Sequence, residues 1–281
     1  MVRAGFVGFL PEDGSDVWAF LKACADIGYR AMDMDLTYVA PQGDLAENTR
    51  RLRDLGIEPL TMGCGCDFDA ALKELPAKIE AAHVQGIRRI TTYSSSISKS
   101  IRLGYGARGT YDEMMRDFEG MSRLVDACER EGISYCYHNH YHEFTTWYGG
   151  VKALDHMLYN VDPRLKFDLD VGWVTSGGFD PVEVLRTLEG RVLCVHMKDF
   201  YDLRKPWKMR EDDPASKEGF TSLGTGLVNV PGIMRELARQ GIGYACVEQD
   251  IMRHLDRMEA LEMAYYSMKE SGFVDVGEVI S

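Results

Sequence analysis

No apolar run in this chain approaches the roughly 20 residues that a helix needs to cross a bilayer, so no membrane span is expected. Export is not signalled either. The apolar part of "MVRAGFVGFLPEDGSD" at the N-terminus is short, and no small-residue cleavage pattern follows it. Cysteine is too scattered and, at seven, odd in number for a disulfide framework. The close pair Cys64 and Cys66 in "TMGCGC" reads as strand and loop packing. These absences lead us to expect a reduced, cytoplasmic protein. Positive charge is in deficit: 32 Lys and Arg against 44 Asp and Glu leave −12, a field that repels a phosphate backbone and argues against nucleic acid as a partner. A dinucleotide-binding turn is missing after the first apolar run, where "GFVGFLPEDGSD" does not fit the Gly-rich pattern. Histidine is scarce too. Only seven occur in 281 residues, yet three fall within "YCYHNHYHEF", residues 135–144.

What is present is a repeated punctuation of helical stretch, Gly and short apolar run. "FLKACADIG" precedes "YRAMDMDL", "AENTRRLRDLG" precedes "IEPLTMGC", and "KIEAAHVQG" precedes "IRRITTYS". "LVDACEREG" precedes "ISYCYHNH", and "MRELARQG" precedes "IGYACVEQD". Gly suits the position just past a helix end because it takes the left-handed conformation without steric cost. With "AGFVGFL", "LKFDLDV" and "VLCVHMKDF" added, eight strands are expected, each followed by a helix, the last being "RMEALEMAYYSMKES". Capping signals mark "TYDEM" at 110–114 and "DPVEV" at 180–184. Strict alternation predicts a parallel sheet. Eight units in this length predict an α/β fold of the (β/α)8 TIM barrel type, a single domain over 1–281. An open doubly wound sheet is the alternative. Long loops are expected after the fourth strand (95–110) and the seventh (201–226), on the face where such barrels place their active sites.

Residues two apart in a strand share a face. Cys136, His138 and His140 therefore line up in the fifth strand, and Asp168 with Asp170 in the sixth. Cys194, His196 and Lys198 do so in the seventh, and Cys246, Glu248 and Asp250 in the eighth. Strands buried on both faces should be almost wholly apolar, so four neighbouring strands that end in ionisable groups mark one functional rim. Asp, His and Glu suit a divalent metal with open positions. Asp170, His196 and Glu248 supply three ligands, and the fourth is sought in or just after the fifth strand. Glu143 is the first choice, with His138 or His140 as alternatives; the direction of Glu143 beyond the strand end is not readable.

At this point the chain resembles the xylose isomerase-like TIM barrel superfamily of sugar isomerases and epimerases. The resemblance rests on "YHNHYHEF", "FDLDVGWVTSGGFDPVEVL", "GRVLCVHMKDF", "SLGTGLVNV" and "CVEQD", in order and register over nearly the whole chain. It implies one divalent ion, with Mn favoured over Mg, Co or Zn, held by two Glu, one Asp and one His. Position by position, that carries the metal role onto Asp170, His196, Glu248 and Glu143. In many relatives the first glutamate lies within the fifth strand, where this sequence has His138. The implied activity is a metal-dependent isomerase or epimerase in carbohydrate metabolism, acting on a keto sugar or related polyol by α-proton abstraction through a metal-bound enediolate. Glu143 and Glu248 form the expected acid/base pair, with His140 as substitute. His138, Lys198, Trp173 and Asp35 are the expected substrate contacts. Three of these have a plainer reading: a salt bridge for Lys198, packing for Trp173, and, for Asp35 as for Asp33, satisfaction of backbone groups. "RKPWKMR" at 204–210 is either an anion-attracting or a merely solvated loop.

The same ligands would serve a lyase or dehydratase acting on a keto-inositol or an oxidised glycoside, which is the main alternative. An apurinic endonuclease needs more metal ligands and a positive groove. The net charge and the lack of histidine on the first four strands argue against it. An HNH-type nuclease is not expected either, because the histidine string sits on a barrel strand in an acidic protein. A non-catalytic sugar-binding subunit would be expected to have lost ligands. The expected partner is thus a small carbohydrate, with no nucleic acid and no membrane. A homo-oligomer is compatible with the sequence and not specified by it.

Overall fold

The computed structural model describes all residues except 12–15, 99–108, 202–218, 253 and 277–281. The strands are, in chain order, β1 (Arg3–Phe6), β2 (Ala31–Met32), β3 (Glu58–Pro59), β4 (Met62–Cys64), β5 (Arg89–Thr92), β6 (Ser134–His138), β7 (Trp147–Tyr148), β8 (Val151–Lys152), β9 (Lys166–Asp170), β10 (Val192–Met197), β11 (Asp199–Phe200), β12 (Phe220–Thr221) and β13 (Tyr244–Val247). Nine of them form one sheet in the order β3-β2-β1-β13-β10-β9-β6-β5-β4. Every pairing within it is parallel. The two end pieces, β3 and β4, are separated along the chain only by Leu60 and Thr61. They are halves of one interrupted strand: its first half pairs with β2 and its second with β5, which closes the sheet on itself. The result is the expected (β/α)8 barrel, with its third strand broken at the seam. The pairs β7–β8 and β11–β12 are small antiparallel ribbons outside the barrel.

The local signals behave as their chemistry requires. Gly28, Gly56, Gly86, Gly132 and Gly241, the five glycines of the punctuation, all have positive φ, the conformation that side chains disfavour. Thr110 and Glu113 form a reciprocal capping box at the start of the helix Tyr111–Glu129. Asp180 caps the helix Pro181–Thr187, whose first residue is the proline. Among the described residues no helix is long and apolar enough to cross a membrane. Most of both expected long loops, all of "RKPWKMR", and residues 277–281 lie outside the described residues.

Alternation along the strands divides two interiors. Phe6, Met32, Ile90, Tyr137, Phe167, Leu169, Val195 and Val247 pack in the main core between sheet and helices. Inside the barrel a small second cluster holds Ala31, Leu60, Cys194 and Cys246. Space there is tight: a Cβ on Gly5 would lie 2.5 Å from Cys246 Sγ and 3.1 Å from the carbonyl oxygen of Ala31. Gly5→Ala should therefore cost about 1–3 kcal/mol of overpacking, seen as a lowered urea midpoint. An unchanged midpoint would show that the barrel centre can yield.

Candidate metal centre

The C-terminal ends of β6, β9, β10 and β13 bring His138, Asp170, His196 and Glu248 together, with one ligand atom of each lying within 4.8 Å of all the others. Register places them: His138 pairs with Asp168, and His196 with Asp170 on one side and Cys246 on the other. Asn139 points out of this layer and ties two strand ends together. Its Oδ1 accepts from the Asp170 amide at 2.9 Å, and its Nδ2 donates to the Asp170 carbonyl at 3.2 Å. Of the dense string "YCYHNHYHEF", then, His138 faces the centre and Asn139 holds the neighbouring strand in place.

His196 is held from both ends of its ring, Nε2 lying 2.6 Å from Asp33 Oδ2 and Nδ1 2.9 Å from Glu248 Oε2. Burial alone would lower its pKa, but the two carboxylates hold it well above the usual histidine value. Asp33 is in turn bound by Arg89, whose Nη2 donates to Asp33 Oδ1 at 2.9 Å. Arg89 Nη1 donates to Asp168 Oδ1 at 2.7 Å, and its Nε to the Leu60 carbonyl at 3.2 Å. Thr91 donates to the other oxygen of Asp168. A buried cation thus sits inside the barrel between two buried carboxylates, directly below the rim. Without it, among the described residues, Asp168 would have no ion-pair partner and Asp33 only His196.

On the other side of the group Lys198 is almost fully buried, at 2% exposure. Its Nζ lies 2.8 Å from Asp250, 3.2 Å from Glu248 and 3.5 Å from Asp170. Burial opposes its charge, yet these carboxylates, Asp250 foremost, raise its pKa far beyond neutrality and keep it an ammonium. An apolar wall of Tyr141, Trp173, Phe200 and Phe220 stands beside it, with Lys198 Nζ 5.0 Å from the Trp173 ring centre. His140 lies against the same wall, 5.9 Å from Trp173 and 5.1 Å from His138 between ring centres. Burial, reinforced by the Lys198 charge, pushes His140 down to about 3, so it is a neutral imidazole.

Two expected site residues are placed elsewhere. Glu143 is fully buried, but its Oε1 accepts from the Tyr137 hydroxyl at 2.6 Å and its Oε2 from the His140 amide at 2.8 Å. Tyr137 belongs to the main core and lies on the face of β6 opposite His138. Glu143 is thereby drawn to the outer face, and His138 occupies the fourth place in the group. Asp35 caps the short helix Leu36–Val39, accepting from the amide and the hydroxyl of Thr37. Burial raises Glu143 from 4.5 to about 7, against the hydrogen bonds from Tyr137 and the His140 amide. The folded state thus favours the protonated acid. Its contribution to stability is full below the unfolded value and lost as pH rises through about 7. Glu143→Gln mimics the neutral form, so its melting temperature should fall less than that of the wild type between about pH 5 and about pH 8. Parallel curves for the two proteins would contradict this.

The donor set fits a divalent cation. Among the described residues His138 Nδ1 is a buried atom without a hydrogen-bond partner, and Asp170 Oδ2 has none beyond its 3.5 Å ion pair with Lys198. Such atoms are costly unless something is bound to them. Two imidazoles and two carboxylates suit Mn or Zn better than an all-oxygen ion such as Mg. Sequence reasoning overlooked Arg89 and the link from Asp33 to His196. Parity does turn Arg89 and Thr91 inward on β5, which was the available signal.

The chain matches the family model described as xylose isomerase-like TIM barrel over residues 21–266. It is 33% identical over 82 residues to an inosose dehydratase of Geobacillus kaustophilus, a stretch covering 29% of this chain and 26% of that protein. The match thus spans about a quarter of the length of that curated relative. Among solved structures, a sugar phosphate isomerase/epimerase from Parabacteroides distasonis superposes with a TM-score of 0.73 at 18% identity, covering 98% of this chain and 100% of that one. A probable 3-DHS dehydratase from Bacillus anthracis superposes with a TM-score of 0.74 at 14% identity, covering 95% and 99%. Isomerase/epimerases and dehydratases thus share this barrel. With the family model matched from the first helix to the last, and the barrel, its seam and its rim in place, the chain belongs to the xylose isomerase-like TIM barrel family.

Proposed function

We propose that the protein is a divalent-metal-dependent lyase of the dehydratase type, removing water from a β-hydroxy ketone of the keto-inositol or keto-sugar class. One observation carries this reading: His138, not a second glutamate, completes the group with Asp170, His196 and Glu248, while Glu143 is bonded to Tyr137 on the far side of the strand. An epimerase of the two-glutamate kind needs a carboxylate on each side of one carbon, each able to take and return a proton. This rim instead pairs a neutral imidazole, His140, with a permanently charged ammonium, Lys198. That asymmetry suits a one-way elimination. The dehydratase activity of the Geobacillus kaustophilus relative supports the same direction.

His138, Asp170, His196 and Glu248 would hold the ion, which supplies positive charge for a substrate carbonyl oxygen. His140, whose Nδ1 is buried without a hydrogen-bond partner among the described residues, takes the proton from the carbon next to the carbonyl. Lys198, held by Asp250, offers its N–H to the hydroxyl that departs from the next carbon. The bonds broken are one C–H and one C–O, and a C=C forms. His140 passes the proton it has taken to the departing hydroxyl, which leaves as water, while Lys198 only hydrogen-bonds that hydroxyl and stays an ammonium. The wall of Trp173, Phe200 and Phe220 covers the apolar face of the ring and limits the access of bulk water.

The test is product mass after incubation with Mn²⁺ and unphosphorylated inososes or 3-keto sugars. Loss of one water, with a new enone absorbance, is expected. A product of unchanged mass would replace this reading with isomerisation or epimerisation. Lys198→Met should retain metal yet lose at least about 100-fold in turnover. Turnover within a few-fold of wild type would remove Lys198 from the mechanism.

A further inference from the structure

Beneath the four ligand candidates lies a charged assembly with no role in the chemistry just described. Arg89, Asp33, Asp168 and Thr91 are all buried, and they come from β5, from β9 and from the turn after β2. Asp33 and Asp168 are near-equivalent with respect to Arg89, each accepting one of its terminal N–H groups at 2.9 and 2.7 Å. They differ in their second partner. Asp168 meets the Thr91 hydroxyl, whereas Asp33 Oδ2 meets His196 Nε2 at 2.6 Å. A carboxylate only accepts, so the proton of that contact belongs to His196 Nε2. Nδ1 faces Glu248 and the centre. With Nε2 committed to Asp33, Nδ1 is the nitrogen whose proton an incoming ion would displace and whose lone pair would bind it.

We propose that Asp33, oriented by Arg89, is a positioning residue that fixes the tautomer and ring direction of His196 and so presets the metal centre. This rests on the metal-dependent reading above. Arg89 is what prevents Asp33 from turning away, because it engages the other oxygen of the same carboxylate. The arrangement makes two isosteric changes unequal. In Asp33→Asn the amide oxygen is drawn to the Arg89 donor, and the NH₂ then faces His196 Nε2. That nitrogen must become the acceptor, and the proton moves to Nδ1, where the ion needs a lone pair. In Asp168→Asn the oxygen again goes to Arg89, but the NH₂ meets a hydroxyl, which can accept.

Affinity for Co²⁺ and Mn²⁺ should be measured by calorimetry on the full-length protein and both variants, beside the visible spectrum of the Co²⁺ form. Asp33→Asn should weaken binding about 10–100-fold, as loss of a partner behind a metal-bound histidine does, and should shift the Co²⁺ bands. Asp168→Asn should leave both near wild type, although each variant takes one charge from Arg89. Equal losses in the two variants, or wild-type affinity in Asp33→Asn, would overturn the inference while leaving the metal-dependent reading intact. A wild-type protein that takes up neither ion would overturn both. Nitrogen-15 histidine spectra of the zinc-loaded wild type supply a measurement that needs no variant to fold: His196 should carry a slowly exchanging proton on Nε2, and metal on Nε2 would refute the role of Asp33.

Discussion

The His138→Gln variant should purify without stoichiometric divalent metal and lose at least about 100-fold in turnover, the upper range for losing even an outer partner of a ligand. Glu143→Gln should keep its metal. The contrast follows from the two faces of β6. His138 projects into the barrel, with its ring centre 4.5 Å from that of His196. Glu143 is anchored on Tyr137 and on the amide of His140. Bringing Glu143 to the centre would break both of those hydrogen bonds and leave the buried Tyr137 hydroxyl, among the described residues, with only Ser95 as a partner at 3.0 Å. Metal analysis of the two purified variants decides the matter. Loss of metal from Glu143→Gln alone would make it the fourth ligand and restore a two-glutamate site.

The second large effect concerns folding. Arg89→Met removes the cation that Asp33 and Asp168 share and leaves two carboxylates buried, at a cost of about 3–5 kcal/mol. Against the 5–15 kcal/mol typical of folded domains, that is a large part of the total. The loss should also depend on pH in a defined direction. In the wild type Asp33 is desolvated, yet the neighbouring Arg89 and His196 hold its carboxyl below the usual range. Without Arg89, burial acts with less opposition and both folded-state values rise. The folded variant then binds more protons than the unfolded chain, so its stability increases as pH falls toward the ordinary carboxylate range. Urea midpoints across pH should show the deficit shrinking in acid. A deficit that stays constant would mean that the aspartates do not carry it.

Much of this was legible because it is local. The helix–Gly–strand punctuation depends on backbone preferences of single residues, and the five glycines adopt the conformation that singled them out. Asp170, His196 and Glu248 could be placed by parity, since each lies within or one residue beyond a regular strand. The same rule turned His138 inward, but it has no force past the strand end. There the chain bends into the helix His142–Thr145, and a hydrogen bond to Tyr137 decides where Glu143 goes. Asp35 escaped for the same reason: β2 ends at Met32, and beyond it the side chain caps a turn. Arg89 was hidden for a different one. A lone arginine near a strand start looks solvated until Asp33 and Asp168, 56 and 79 residues away, are known to face it.

The interruption of the third strand at Leu60 and Thr61 has a dynamic consequence. There the barrel is fastened across its joint by side chains: Arg89 Nε holds the carbonyl of Leu60, and the Thr61 hydroxyl lies 2.6 Å from that of Thr91. Transient opening of the joint should therefore remove one of the three anchors of the guanidinium that steadies Asp33, and through it His196. Through these contacts the wall and the centre are expected to move together, so an ion or substrate that quiets the centre should slow amide exchange along Leu60–Cys64, on strands that carry none of its ligands.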